Sequence, residues 1–241
     1  MKQLLMLLIV GLLSFGLVGC SGESGTANSG GDATPASSDA SSGSANAEIT
    51  QTAFKVWESY DMVTAHGAVE IKNTGDVPIK LGDISISFVG KDDSIVESMS
   101  MILPVPEILQ PGEVAYASDS TYPDGIKPDD LVDIEANIDF DATEETGQIL
   151  AVNDLNIKDE EEGVKVTGRV ENVSDKNADD VRVAIGLLDK DGKLLGVLTT
   201  SEDVTLAPGK TLGFSTNYPE LNIKADEVAT MEGKSYNWSW E

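Results

Sequence analysis

From about residue 50 onward, apolar and polar side chains alternate with a period of two. Val164, Val166, Gly168 and Val170 are spaced by polar or small residues, and so are Ala65, Gly67, Val69 and Ile71. Ile84, Ile86 and Phe88 repeat the pattern, as do Val181, Val183 and Ile185. A strand points successive side chains to opposite faces, so this alternation predicts half-buried strands with one face in a core. Turn chemistry punctuates the runs. Asp191-Gly192, inside 190–193, predicts a hairpin, because this pair readily supplies the positive φ that tight hairpins need. Leu206-Ala207-Pro208-Gly209 predicts a strand and then a turn, with Pro presetting φ and Gly taking the strained position. No stretch beyond Ile49 has helical periodicity. The elements are short, numerous and all β.

The same pattern occurs twice. Leu109-Gln110-Pro111-Gly112 returns 97 residues later as Leu206-Ala207-Pro208-Gly209. At the same spacing, Ile126-Lys127 followed by Asp129-Asp130-Leu131 returns as Ile223-Lys224 followed by Asp226-Glu227-Val228. Tyr122-Pro123 returns as Tyr218-Pro219, one residue out of step, and Ile71 with Asn73 faces Val170 with Asn172 at a spacing of 99. Ordered matches at one spacing predict a tandem duplication of units of about 95 residues, over 50–145 and 146–241, joined near 141–147 with restricted hinging. Short strands with frequent turns at that length predict two immunoglobulin-like antiparallel β-sandwiches. No cysteine is present in either unit to bridge the sheets.

The first twenty residues follow a different rule. Lys2 precedes an almost wholly apolar run from Leu4 to Val18, shorter than the ~20 apolar residues a membrane span needs. Leu17-Val18-Gly19-Cys20 closes that run, and Cys20 is the single cysteine of the chain. This segment resembles the signal peptide and lipobox of bacterial lipoproteins. The resemblance implies cleavage between Gly19 and Cys20, diacylglycerol on the Cys20 sulfur, and fatty acylation of the freed amine, with palmitate among the chains. Two or more acyl chains, each gaining ~0.8 kcal/mol per buried CH₂, anchor a protein stably where one does not. The expected location is the extracytoplasmic face of a bacterial cell membrane; in a two-membrane host, Ser21 after the cysteine resembles an outer-membrane address. Residues 20–49 then read as the lipidated cysteine and a flexible Ser/Gly/Ala linker, since 19 of residues 21–49 are Ser, Gly or Ala. Such a coil spans about 30 Å r.m.s..

Val181 to Lys193, with Asp189, Asp191 and Gly192 at the hairpin, followed by Leu206-Ala207-Pro208-Gly209, resembles the FxLYD domain of bacterial surface lipoproteins. Ile185 and Leu188 stand at the name-giving Phe and Tyr positions, and the first copy, with Ile86, Phe88 and Gly90, departs further. The resemblance implies a β-sandwich in a cell-envelope setting, and it brings no catalytic residues.

Charge narrows the partners. With 16 Lys and Arg against 42 Asp and Glu, the net charge is −26, which repels nucleic acid and anionic membrane surfaces. Contact with a membrane is therefore expected only through the lipid. His66 is the one histidine and reads as a solvent-exposed or partly buried structural residue; no nucleophile, zinc or phosphate-loop motif accompanies it. No catalytic residues and no cofactor beyond the acyl groups are expected. Calcium is the alternative chemistry, because acidic turns occur at Asp92-Asp93, Asp129-Asp130, Asp179-Asp180 and Asp189/Asp191; Asp189 and Asp191 are the candidates, without an EF-hand pattern. Tyr236, Trp238 and Trp240 alternate and share one face of the last strand. They close the core of the second copy or form an aromatic platform for a glycan or peptide. Trp57 lies in the first strand of the first copy. The function these features imply is a membrane-displayed, non-catalytic binding or interaction module, with a glycan or an envelope protein as its partner. An architectural spacer or assembly subunit is the alternative, and an enzyme a distant third.

Overall fold

A computed structural model describes residues 43–238. Gly19, Cys20 and Trp240 lie outside the described residues, as do the expected signal peptide and most of the expected linker. The first copy contains β1 (Ala47–Ser59), β2 (Met62–Asn73), β3 (Ile79–Gly90), β4 (Ile95–Met99), β5 (Ile108–Leu109), β6 (Val114–Thr121) and β7 (Leu131–Ala142). The second contains β8 (Ala151–Asp159), β9 (Val164–Glu171), β10 (Val181–Leu188), β11 (Leu194–Glu202), β12 (Thr211–Thr216) and β13 (Thr230–Asn237). The helical content among the described residues is two three-residue 3₁₀ turns, Pro128–Asp130 and Ala225–Glu227.

Each copy forms an antiparallel sandwich with the same pairing. In the first, β1-β2-β6 faces a sheet in which β3 pairs β4 and the short β5 along one edge and β7 along the other. In the second, β12-β9-β8 faces β11-β10-β13. The period-two pattern sets what each core contains. Ala65, Val69 and Ile71 of β2 meet Ile84, Ile86 and Phe88 of β3, and Val164, Val166 and Val170 of β9 meet Val181, Val183 and Ile185 of β10. Gly67 is part of this packing: a Cβ there would press on Ile86 and Phe88. The edge strand β7 points Ile134, Ala136, Ile138 and Phe140 toward the core and alternates them with Asp133, Glu135, Asn137 and Asp139. Charges on an exposed edge oppose strand-to-strand aggregation.

The repeated motifs are fastened to each other. Asn73, fully buried at the end of β2, donates through Nδ2 to the carbonyls of Val77 (2.9 Å) and Leu109 (3.0 Å). Its own carbonyl accepts the Gly112 N–H at 2.9 Å. Asn172 repeats this with Lys176 and Leu206, both at 2.7 Å, and with Gly209 at 2.8 Å. The duplicated Asn and the duplicated Leu-x-Pro-Gly are thus two halves of one clamp. Gly112 (φ 84°) and Gly209 (φ 69°) hold the left-handed position it needs. The duplicated Ile-Lys segment is a capped 3₁₀ turn: Asp130 Oδ2 accepts the Lys127 N–H at 2.9 Å, and Glu227 Oε1 accepts the Lys224 N–H at 2.7 Å.

Two features differ from the sequence expectation. The first strand starts at Ala47, inside the stretch read as linker. Ala45, Ala47 and Ile49 pack on the first core, and Asn46 donates to Thr74 at 2.6 Å. Small apolar residues at a period of two suffice for a strand once a neighbour is present to pair with. The second difference is larger: β2 and β10 are buried on both faces, although alternation predicted one. The outer face of β1-β2-β6 lies against the outer face of β11-β10-β13, so the sheets stack in four layers. Ala53, Ala68, Val105 and Tyr116 from the first copy meet Ala184, Leu194, Val197 and Tyr236 from the second in a third apolar cluster. Small side chains permit the approach; a Cβ on Gly186 would fall 2.5 Å from the Tyr116 ring. Cross-links are few but specific. Leu194 N–H donates to Gln51 Oε1 at 2.8 Å, and the Tyr116 hydroxyl lies 3.2 Å from Glu70 Oε2 and 3.1 Å from Glu232 Oε2.

Candidate functional site

The exposed aromatic side chains gather where the two sandwiches meet. Trp57 and Tyr60 come from β1 and its turn, Met62 from the start of β2, and Tyr122 follows β6. Tyr218 comes from the segment after β12. All five line one cleft of about 320 Å³, together with Ser59, Thr64, Ser120, Glu162, Asn217, Pro219 and Glu220. Tyr60 is 87% exposed, Tyr122 52%, Tyr218 54% and Met62 48%, values far above those of the buried core aromatics. Exposed apolar groups concentrated in one concavity distinguish a binding site from scattered surface residues. Trp57 also packs on the second core, so one of its surroundings belongs to each copy.

Local structure explains the presentation. Ser59 pairs with Met62 across a two-residue hairpin, and Tyr60 (φ 52°) and Asp61 (φ 60°) are both left-handed. That is the geometry of the tightest hairpins, normally served by Asn and Gly. Tyr60 therefore carries backbone strain of order 1 kcal/mol while its ring stands at the cleft mouth. Tyr122 and Tyr218 are the duplicated Tyr-Pro pair. The head-to-tail packing of the copies places both in one cleft.

The electrostatics are one-sided. Partial burial, and then the adjacent Glu162 carboxyl, hold Glu220 above the usual carboxylate range. The hydrogen bond to Glu162, and then the Glu162 charge, push the Tyr60 hydroxyl up. Tyr218 is raised by burial first and then by Asp119 and Tyr122. Among the described residues, no lysine or arginine lines this cleft. An adjoining hollow of about 170 Å³ shares Trp57, Ser59, Glu162 and Glu220, adds Glu58 and Glu161, and contains Lys224. Further along the seam, Tyr218 also lines a groove of about 510 Å³ with Met101, Leu103 and Arg182.

His66 stands behind the cleft. It is fully buried between the facing sheets, not exposed or partly buried as its sequence context indicated, because the second sandwich covers the outer face of β2. Its Nδ1 lies 3.1 Å from Ser120 Oγ, and burial pushes its pKa down to about 3. An imidazole that stays neutral and enclosed supports Ser120; it is not poised for acid–base work near neutral pH.

The other candidates are placed as follows. Asp189 Oδ1 accepts the N–H groups of Asp191 (2.8 Å) and Lys193 (2.9 Å) and so closes the β10–β11 hairpin around Gly192 (φ 77°). The bond from Lys193 holds the Asp189 pKa below the usual range. The Asp191 carboxylate lies 2.6 Å from Lys190 Nζ. Asp92 accepts from Ser94 at 2.6 Å, and Asp179 from Thr205 at 2.8 Å. Among the described residues, no group of three or more His, Cys, Asp or Glu is arranged to hold a metal ion. Tyr236 is buried in the cluster between the sandwiches, with its ring 5.9 Å from that of Trp238 at 73°. The Arg182 guanidinium covers the Trp238 ring at 5.1 Å. These two rings serve the seam, and the exposed aromatics lie elsewhere along it. Among the described residues no helix is long and apolar enough to cross a membrane. The chain matches no protein-family model and no curated protein.

Proposed function

We propose that this chain is a bacterial surface lipoprotein, anchored through acyl groups on Cys20 at the extracytoplasmic face of the cell membrane. It displays an FxLYD-like pair of sandwiches as a non-catalytic binding module, and the seam cleft is its ligand site. One observation carries the binding role. Most duplicated motifs are consumed by clamps, caps and turns, whereas the duplicated tyrosines, Tyr122 and Tyr218, stand exposed in one cleft built from both copies. Packing would have buried them if packing were their only use.

Oxidative footprinting of the full chain, with and without envelope extract, tests this reading. Protection of Tyr60, Tyr122 and Tyr218 that disappears in Tyr218→Ala supports it, and protection elsewhere or nowhere overturns it. Metabolic labelling with an alkyne fatty acid tests the anchor, and Cys20→Ser must abolish the label. The architectural reading has one observation in its favour, the apolar cluster that joins the sandwiches into a stiff unit; it predicts no protection in the cleft.

A further inference from the structure

The lining of the cleft bears on the charge of its ligand, and this inference rests on the cleft being the ligand site. We infer that it binds the head of an organic ammonium ion, held against the rings of Trp57, Tyr60, Tyr122 and Tyr218 and countered by Glu162 and Glu220. Aromatic faces carry a negative quadrupole, and cations over them are attracted most strongly where water is partly excluded. Four such side chains line one concavity here, and two carboxyl groups, Glu162 and Glu220, face it, with no basic side chain lining it among the described residues. Two carboxyl groups this close repel each other when both are ionised, and a cation beside them relieves that repulsion. The volume of about 320 Å³ is at the low end for ligand pockets, which suits a compact headgroup better than an extended chain. The chain's net charge of −26 also raises the local concentration of cations and disfavours anions. Strain at Tyr60 adds a separate observation. A residue ill-suited to its backbone conformation is kept where its ring reaches the mouth of the cleft.

Calorimetric titration of the full chain, in a non-ionic detergent without ammonium headgroups, tests this inference. The probes are choline, butylammonium, the uncharged choline isostere 3,3-dimethyl-1-butanol, and a neutral N-acetylglucosamine oligomer. Saturable binding of choline or butylammonium, at least tenfold tighter than the isostere, is expected; which of the two binds tighter separates a quaternary from a primary head. Tyr218→Ala and the pair Glu162→Gln with Glu220→Gln should each weaken it roughly 3- to 30-fold, the scale of losing one cation–aromatic or one charge contact. Tyr218 and Glu220 are exposed, and circular dichroism confirms that the variants fold. Equal binding of the neutral isostere, no saturable binding of either cation, or binding indifferent to both variants overturns the ammonium assignment. Tyr218-dependent binding of the sugar alone also overturns it, but leaves the cleft as the ligand site.

Discussion

Asn73 and Asn172 each join two chain segments more than thirty residues apart through buried side-chain hydrogen bonds. Truncation strands backbone carbonyls that water cannot reach, at ~1–3 kcal/mol for each unsatisfied group. Asn172→Ala is expected to destabilise by about 2–4 kcal/mol in urea unfolding, and Asn73→Ala by a similar amount. Equal losses at the two sites would reflect one clamp used twice. His66 makes a pH prediction of definite sign. Its native pKa of about 3 lies below the ordinary value near 6.5, so the unfolded chain takes up the proton first. Its contribution is fully present above pH 6.5 and is lost progressively as the pH falls toward 3, by on the order of 2–3 kcal/mol at pH 4.5. Unfolding free energies of wild type and His66→Gln at pH 7 and 4.5 check this; the variant should lack that part of the acid sensitivity, whatever its absolute stability.

At the scale of elements, two places show sequence and structure in tension. The β1–β2 hairpin uses Tyr60-Asp61 where Asn-Gly fits better. Replacing the pair with Asn-Gly should raise stability by about 1 kcal/mol, measured as a higher urea midpoint, while removing the Tyr60 ring from the cleft. A gain in stability without loss of ligand would show that the strain serves no binding role. In β10, the small residues Ala184 and Gly186 admit Tyr116 from the other sandwich. Gly186→Ala puts a methyl into that ring and should cost about 1–3 kcal/mol by overpacking. Tyr116→Phe should not rescue it, since the clash involves ring carbons as well as the hydroxyl.

At the scale of the whole molecule, the two sandwiches are coupled by the cluster between them. A flexible pair would melt in two steps. With Ala68, Tyr116, Val197 and Tyr236 buried together, one cooperative transition is expected, with circular dichroism and tryptophan emission coinciding. Val197→Asp buries an unpaired charge in this interface. It should split the transition in two and expose Tyr236 to iodide or oxidative probes. The acidic surface acts at this scale too. Salt screens its self-repulsion, so the midpoint should rise between low and physiological ionic strength.

Much of this organisation was legible in the chain. Alternation placed Val164, Val166 and Val170 in a core, and turn chemistry placed Asp191-Gly192 in a hairpin, because these signals are local and every strand or turn must satisfy them. The 97-residue spacing marked a duplication because its matches recur in one order along the chain. The clamp at Asn172 was visible only as a repeated letter, since its partner at Leu206 lies 34 residues away. The cleft was hidden for the same reason: Tyr60, Tyr122 and Tyr218 share no sequence neighbourhood. The repeated Tyr-Pro was the one available signal. The full burial of His66 is not legible in the sequence, because alternation describes burial by a strand's own sandwich and says nothing of a second one. By itself, then, the sequence determined the β class and the turn positions, through periodicity and backbone preferences acting over a few residues, and the doubling of the unit, through ordered repetition of those motifs. The tertiary structure alone decided that the copies stack head to tail. That choice depends on complementarity between Tyr116 and Gly186, surfaces that meet only after both sandwiches exist, and it created the cleft.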